Sequence, residues 1–541
     1  MKKTALVFVL FAAASLTAAD YVAEGNLWWA HIQFLADDRL EGRNTGSEGY
    51  RQAARYVAGK FESFGLKPGD ISGYEQPVKF ETRTLVEAES SVSLVRDGQT
   101  EALQLAQPGA EVQMNSRGEA ATITAPMVFV GYGMVIPEAN YSDLDGLDLK
   151  GKIAVYVSAP GPVAASGNLK SHYSSGVERW AAFKKAGAVG IGIIANPRVP
   201  VPDAAAAPGK GGAGGRAGTP TPGQVLMSLA DPDLRETAGQ QVAVAINRNG
   251  GEKFFAGSGH TFESLLKAAA ANEPLPRFPL AATLQAKMTA ITGVTEAPNV
   301  VGILPGSDPK LKDEYVVFSS HLDHLGIGRA VNGDGLYNGA MDNASGVASV
   351  LEVARLFKAS GVKTKRSIIF LAVTGEEKGE LGSRYFASRP TVPFEKIVAD
   401  INLDMFLPLY DLKVLEVQGL SESTLGDAVR AAAKDVGVDV QTDREPEQNR
   451  FIRSDQYSFI RRGVPSLAFK FGYESGSPEE KIRTEWVKTI YHKPADDLNQ
   501  PVDKASAAKF DRIIFELIQR VANNSERPKW KDDSFFRRFA P

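Results

Sequence analysis

Cysteine is absent from the 541-residue chain, and histidine occurs only six times. The first absence excludes disulfide frameworks, thiolate nucleophiles, zinc fingers and iron–sulfur clusters. Any metal site must therefore be built from histidine and carboxylate. Charge of one sign is also missing: 61 Lys and Arg stand against 64 Asp and Glu, a net of −3. Such a balance excludes the basic face that nucleic acid requires, so no nucleic-acid partner is expected. No apolar run reaches the ~20 residues of a membrane-spanning helix. What remains is 43% hydrophobic and 23% charged, the composition of a globular chain rather than of a disordered, collagen-like or coiled-coil one. The length allows two or three domains of uneven size.

Lys2 and Lys3 precede an apolar run from Ala5 to Ala14, and Ser15-Leu16-Thr17-Ala18-Ala19-Asp20 follows. A basic start, a short apolar stretch and small residues make a signal peptide over residues 1–19, cut after Ala19. The mature chain is expected to be exported, periplasmic or secreted, with no membrane insertion after cleavage. Trp28, Ile32 and Leu35 recur at helical spacing, and residues 76–125 alternate apolar and polar positions as strands do. Asp203–Gly223 is rich in Ala, Gly and Pro and reads as a surface loop. Gly187-Ala188-Val189-Gly190-Ile191-Gly192 lies between a helix and a strand, the wrong order for dinucleotide binding.

From about Ala297 strands and helices alternate, which predicts an α/β domain: a mixed, mostly parallel sheet covered by helices. Ligands of such sheets bind beyond the carboxyl ends of the strands. The run Tyr315–Ser320 ends on His321-Leu322-Asp323-His324, Ser367–Val373 on Thr374-Gly375-Glu376-Glu377, and Ile397–Leu403 on Asp404. Between the first two, Gly339-Ala340-Met341-Asp342-Asn343 leads into a helix, and Tyr491-His492 sits in a late polar loop. Nitrogen and oxygen donors without sulfur suit Zn(II), Mn(II) or Co(II) in a hydrolytic site. Singly, each has a plainer explanation: Asp342 as a helix cap, Glu376 and Glu377 as a solvated turn, His492 as a surface residue.

Together, these motifs resemble the dizinc aminopeptidase-type metallopeptidases of peptidase family M28. The resemblance runs through His321-Leu322-Asp323, Asn338 to Gly346, Thr374 to Glu377 with Leu381-Gly382-Ser383, Asn402-Leu403-Asp404-Met405, Tyr491-His492 and the upstream Leu40 to Ser47. It implies two divalent ions, zinc foremost, bridged by Asp342. His321 and Asp404 would complete one ion, and Glu377 and His492 the other. Glu376 would be the general base, and Asp323 would orient the imidazole of His321. Three carboxylates and two neutral imidazoles bring −3 against +4, which favours an anionic nucleophile such as hydroxide. Adjacent glutamates on extended backbone face opposite ways, so one can bind metal while the other takes the proton. His324 has no ligand role in the family pattern and reads as a polar neighbour. His31, His172 and His260 read as structural or surface residues.

Residues 110–270 resemble an inserted, mainly-β protease-associated domain through Gly131-Tyr132-Gly133, Leu147 to Lys152 and Ala186-Gly187-Ala188. The catalytic domain would then comprise residues 20–109 and 271–541. One departure from many relatives is Ser454-Asp455-Gln456-Tyr457, where they carry histidine third; Arg450 and Arg453 beside it read as solvated. The implied activity is an exported exopeptidase acting on peptides, an aminopeptidase first. Carboxypeptidase or glutaminyl-cyclase-like chemistry on the same scaffold are the enzymatic alternatives. A non-catalytic binding protein would have lost ligands, and none is lost here.

Overall fold

The computed structural model describes residues 18–105, 109–198 and 225–540. The expected signal peptide lies outside the described residues except for Ala18 and Ala19, which begin helix α1 (Ala18–Leu35). The loop expected at Asp203–Gly223 lies wholly outside them.

The larger of two main sheets has ten strands. In chain order they include β1 (Glu75–Leu85), β2 (Leu226–Leu229), β3 (Ala290–Leu304), β4 (Tyr315–His321), β5 (Ser367–Val373), β6 (Ile397–Leu403), β7 (Val414–Gln418), β8 (Asp439–Thr442) and β9 (Ser466–Phe471). They lie side by side as β2-β1-β3-β5-β4-β6-β9-β7-β8, and the short strand Lys67–Pro68 adds to β3. The neighbours β5, β4, β6 and β9 run parallel. The pairs β2–β1, β1–β3, β3–β5 and β9–β7 are antiparallel. Parallel pairing thus holds the centre but not the whole sheet. The physical reason is burial: every residue of β5, β6 and β9 is buried, whereas β1 alternates and the first half of β3 is largely exposed. From β2 to β9, strands covered on both faces pair in parallel through crossover helices and the half-exposed ones pair antiparallel; at the other edge β9–β7 is antiparallel though buried, and β7–β8 is parallel though β8 is half-exposed.

Helices α2 (Glu48–Ser63), α3 (Ser345–Ser360) and α4 (Lys504–Asn523) join α1 over this sheet. Ser47 accepts the Tyr50 amide to start α2, Asp503 accepts that of Ser506 to start α4, and Gly361 in the left-handed region ends α3. Phe357 of α3 and Phe515 of α4 pack as tilted rings with centroids 4.5 Å apart. Trp28 of α1, fully buried, donates its indole N–H to Ser345 O and Ser349 Oγ. Each such buried side chain contributes about 1.5–3 kcal/mol, and together they fix α3, whose preceding loop carries Asp342.

The second sheet has eight strands. Among its strands, Ser91–Arg96 pairs antiparallel with both Gln99–Leu103 and Phe278–Lys287, all three outside residues 110–270. It has its own apolar core. Residues 110–270 carry helices Gly167–Ser174, Gly176–Lys185, Arg248–Phe255 and Phe262–Ala270. One piece of this stretch, β2, crosses to the edge of the larger sheet. The glycines around Gly190 serve packing: a Cβ on Gly190 would lie 2.5 Å from Val242 Cγ1 in the adjacent strand.

Candidate metal centre

Because β5, β4 and β6 are adjacent and parallel, their carboxyl ends share one edge. His321 is the last residue of β4, Glu376-Glu377 lie just past β5 and Asp404 just past β6. Asp342 reaches the same point from the loop before α3, and its peptide bond to Asn343 is cis. His492 arrives after the helix Pro478–Thr489, in the left-handed region at φ 55°. All five expected ligands therefore converge.

Asp342 is fully buried at the centre. Its Oδ1 faces His321 Nε2 at 3.3 Å, and its Oδ2 faces His492 Nε2 at 3.0 Å. Around His321, Asp404 Oδ1 lies 3.4 Å from Nε2; around His492, Glu377 Oε1 lies 3.2 Å from Nε2. Donors about 2.0 Å from a tetrahedral ion are about 3.3 Å apart, so both groups have the spacing of a shared cation. Neither Asp342 oxygen, nor His492 Nε2, makes an aligned hydrogen bond despite these short approaches. Buried polar atoms that face one another without a hydrogen between them fit a metal ion as their common partner.

The electrostatics agree. Burial opposes the charge on Asp342, yet His321 and His492 hold its carboxyl well below the ordinary range. Burial opposes protonation of His321 too, and Glu376, Asp342 and Asp404 outweigh it, raising the imidazole well above its usual value. For His492, Glu377 and Asp342 likewise overcome burial and push the ring up to about 9. The cluster draws positive charge to itself, which two divalent cations would supply.

Asp323 behaves differently from expectation. His321 Nδ1 is 3.1 Å from its main-chain carbonyl, not from its carboxylate. The carboxylate instead accepts the N–H groups of Glu376 and Glu377, at 3.1 and 3.2 Å, and the hydroxyl of Thr45 at 3.0 Å. It fixes the glutamate turn rather than the ring. His324, read as a polar neighbour, has its Nδ1 3.1 Å from Glu377 Oε1. Of the other histidines, His31 contacts Tyr56 and Glu352, His172 contacts Tyr457, and His260 stacks on Phe278. All three lie outside the cluster.

Further residues hold the site: Arg43, Asn343 and Gln456 lie within the stretches quoted above without a role there, and Asp496 lies outside all of them. Asp496 accepts the N–H groups of Met341 and Asp342, at 2.8 and 2.9 Å. Arg43, fully buried, donates to Leu322 O, Asn338 O and Gly339 O at 2.9, 2.7 and 2.9 Å, and also to Leu35 O. It ties the His321 loop to the Asp342 loop. Asn343 binds Ser320 Oγ and Leu403 O, joining the ends of β4 and β6. Gln456 is buried and accepts from Asn402 at 2.7 Å. Arg450 pairs with Glu445, away from the cluster.

Residues 299–518 match the model of Peptidase family M28. Aminopeptidase YwaD of Bacillus subtilis is 26% identical over 248 residues, 45% of this chain and 48% of that protein. A "Probable zinc metalloprotease" of Pyrenophora teres f. teres is 39% identical over 106 residues, 20% of this chain and 22% of that one. The chain thus spans about half or less of the length of these curated relatives. A solved aminopeptidase from Aneurinibacillus sp. strain AM-1 has the same fold, with a TM-score of 0.51 and 21% identity over 93% of this chain and 95% of that one.

Proposed function

Because residues 299–518 match the model of Peptidase family M28, we propose that the chain is an exported zinc aminopeptidase that removes N-terminal residues from peptides. In this reading His321, Asp342 and Asp404 would hold one ion, and Asp342, Glu377 and His492 the other. The observation that carries it is the buried Asp342 carboxylate, with one imidazole nitrogen on each oxygen at 3.3 and 3.0 Å. Zinc is favoured by the all-nitrogen-and-oxygen donor set and by the zinc metalloprotease among the relatives. Export is supported by Lys2, Lys3 and the apolar run after them.

The bound ions would supply Lewis acidity, polarising the scissile carbonyl and making water acidic near neutral pH. The chain's own residues do the rest. Glu376, held by Asp323 through its backbone N–H, takes a proton from the attacking water at its carboxylate and returns it to the departing amine. The new C–O bond forms first and the peptide C–N bond then breaks; one proton of the water reaches the amine through Glu376 and the other leaves the new carboxyl group, so the products are an ammonium and a carboxylate. Asp496 and Arg43 fix the two loops that present Asp342 and His321, so the donors are positioned before substrate arrives.

The test is hydrolysis of aminoacyl-arylamides and of peptides with free or acetylated N-termini, before and after chelation. Activity that needs a free N-terminus, disappears on chelation and returns with zinc is expected. Cleavage that tolerates the blocked N-terminus but needs a free C-terminus would establish the carboxypeptidase alternative instead. Glutamine-terminated peptides losing ammonia without hydrolysis would establish the cyclase.

A further inference from the structure

His324 has no part in the ligand set above, yet its ring enters the same space. His324 Nδ1 lies 3.1 Å from Glu377 Oε1 and 3.9 Å from Asp342 Oδ2. His492 Nε2 faces the same two oxygen atoms at 3.2 and 3.0 Å. Two imidazoles from distant parts of the chain thus converge on one pair of carboxylate oxygens, with ring centroids 5.9 Å apart. The His324 side chain is fully buried, and its Nε2 has no hydrogen-bond partner. Room for the ring is made by Gly339, in the left-handed region at φ 65°, where a Cβ would lie 2.5 Å from His324 Cγ. The backbone is held as well, by the His324 amide donating to Arg43 O at 3.3 Å.

We propose that His324 is a fourth protein donor to the ion shared by Asp342, Glu377 and His492, which makes the two metal positions unequal. That position then has two oxygens and two nitrogens, a closed tetrahedral set. The position of His321, Asp342 and Asp404 has three donors and keeps a place for water or substrate. Closed four-donor sites hold zinc structurally, while three-donor sites are the open, catalytic kind. The proposal rests on the two-ion reading above. Its rival is a plain hydrogen bond from His324 Nδ1–H to Glu377, which would leave both positions open.

The experiment uses the full chain loaded with zinc or cobalt and freed of excess metal. Timed release to a coloured chelator should show two equivalents in wild type, one leaving at least tenfold more slowly. His324→Gln keeps a side-chain N–H for Glu377 but loses the imidazole lone pair, and should abolish the slow phase. A slow phase retained in His324→Gln overturns the proposal. Should that variant fail to fold, His324→Cys loaded with two Co(II) ions decides. A thiolate-to-cobalt charge-transfer band, in a chain with no other cysteine, shows that residue 324 touches an ion; two bound cobalt ions without the band overturn the assignment. Fewer than two equivalents in wild type would remove the two-ion reading itself, an outcome distinct from loss of the inequality alone.

Discussion

Asp323→Asn separates two ways in which one acid could serve the site. The carboxylate accepts three hydrogen bonds, from Glu376 N, Glu377 N and Thr45 Oγ1. An asparagine offers one oxygen and one NH2 group, so one glutamate N–H must face another donor. A buried N–H without an acceptor costs about 1–3 kcal/mol. Burial also pushes the Asp323 carboxyl up, so its charge is held at some expense, and the neutral amide recovers part of the loss. The net destabilisation expected is about 1 kcal/mol, small against the effect on rate. Displacing the glutamate turn by about 1 Å misplaces the general base, which can lower kcat about 100-fold. The assay is kcat and KM on an aminoacyl-arylamide, with metal content and urea unfolding on the same sample. Retained metal, modestly lower stability and a kcat lower by about two orders of magnitude are expected. A kcat within twofold of wild type would refute the reasoning. Normal turnover geometry with metal lost from the His321 position would show instead that the carboxylate acts on the ring.

Arg43→Met leaves the buried carbonyls of Leu35, Leu322 and Asn338 without a donor, while Gly339 O keeps the Ala344 N–H, and an unfolding free energy lower by about 3 kcal/mol or more is expected; a loss below about 1 kcal/mol in urea unfolding would contradict it. His172, between the second sheet's helices and Tyr457, is pushed down to about 4 by burial and by Arg461. It is neutral when folded and takes a proton when unfolded, so its stabilisation is present above about pH 6.5 and is lost as pH falls toward 4. The loss is about 2 kcal/mol, with about 3 as the ceiling for the full difference. His172→Gln should flatten the stability profile of urea unfolding between pH 6.5 and 4, and an unchanged slope would exclude this role.

Much of the edge that carries the cluster could be read from the chain. A strand buried on both faces is a continuous apolar run, so the residue after it lies at the sheet's edge; His321, Glu377 and Asp404 are such residues. The antiparallel flanks were harder. Whether Ser91–Arg96 pairs within one sheet or another depends on Phe278–Lys287, nearly two hundred residues away. Asp496 is one acid in a polar loop, and nothing local reveals that it receives the Asp342 amide across 154 residues of chain. Asp323 was recognisable as a second-layer residue, but the direction of its carboxylate depends on where the turn after β5 comes to rest. His324 has no ligand role in the family pattern and so reads from the sequence only as a polar neighbour. The turn of the chain after β4 brings it to Glu377.

The central claim is that Glu376 moves the proton while other side chains hold the metals. Glu376→Gln tests it most directly, with metal equivalents and kcat measured on one preparation. Two equivalents retained, with kcat lower by at least about a thousandfold, is the predicted result. Unchanged turnover in that variant, or wild-type activity without any bound metal, would contradict the account.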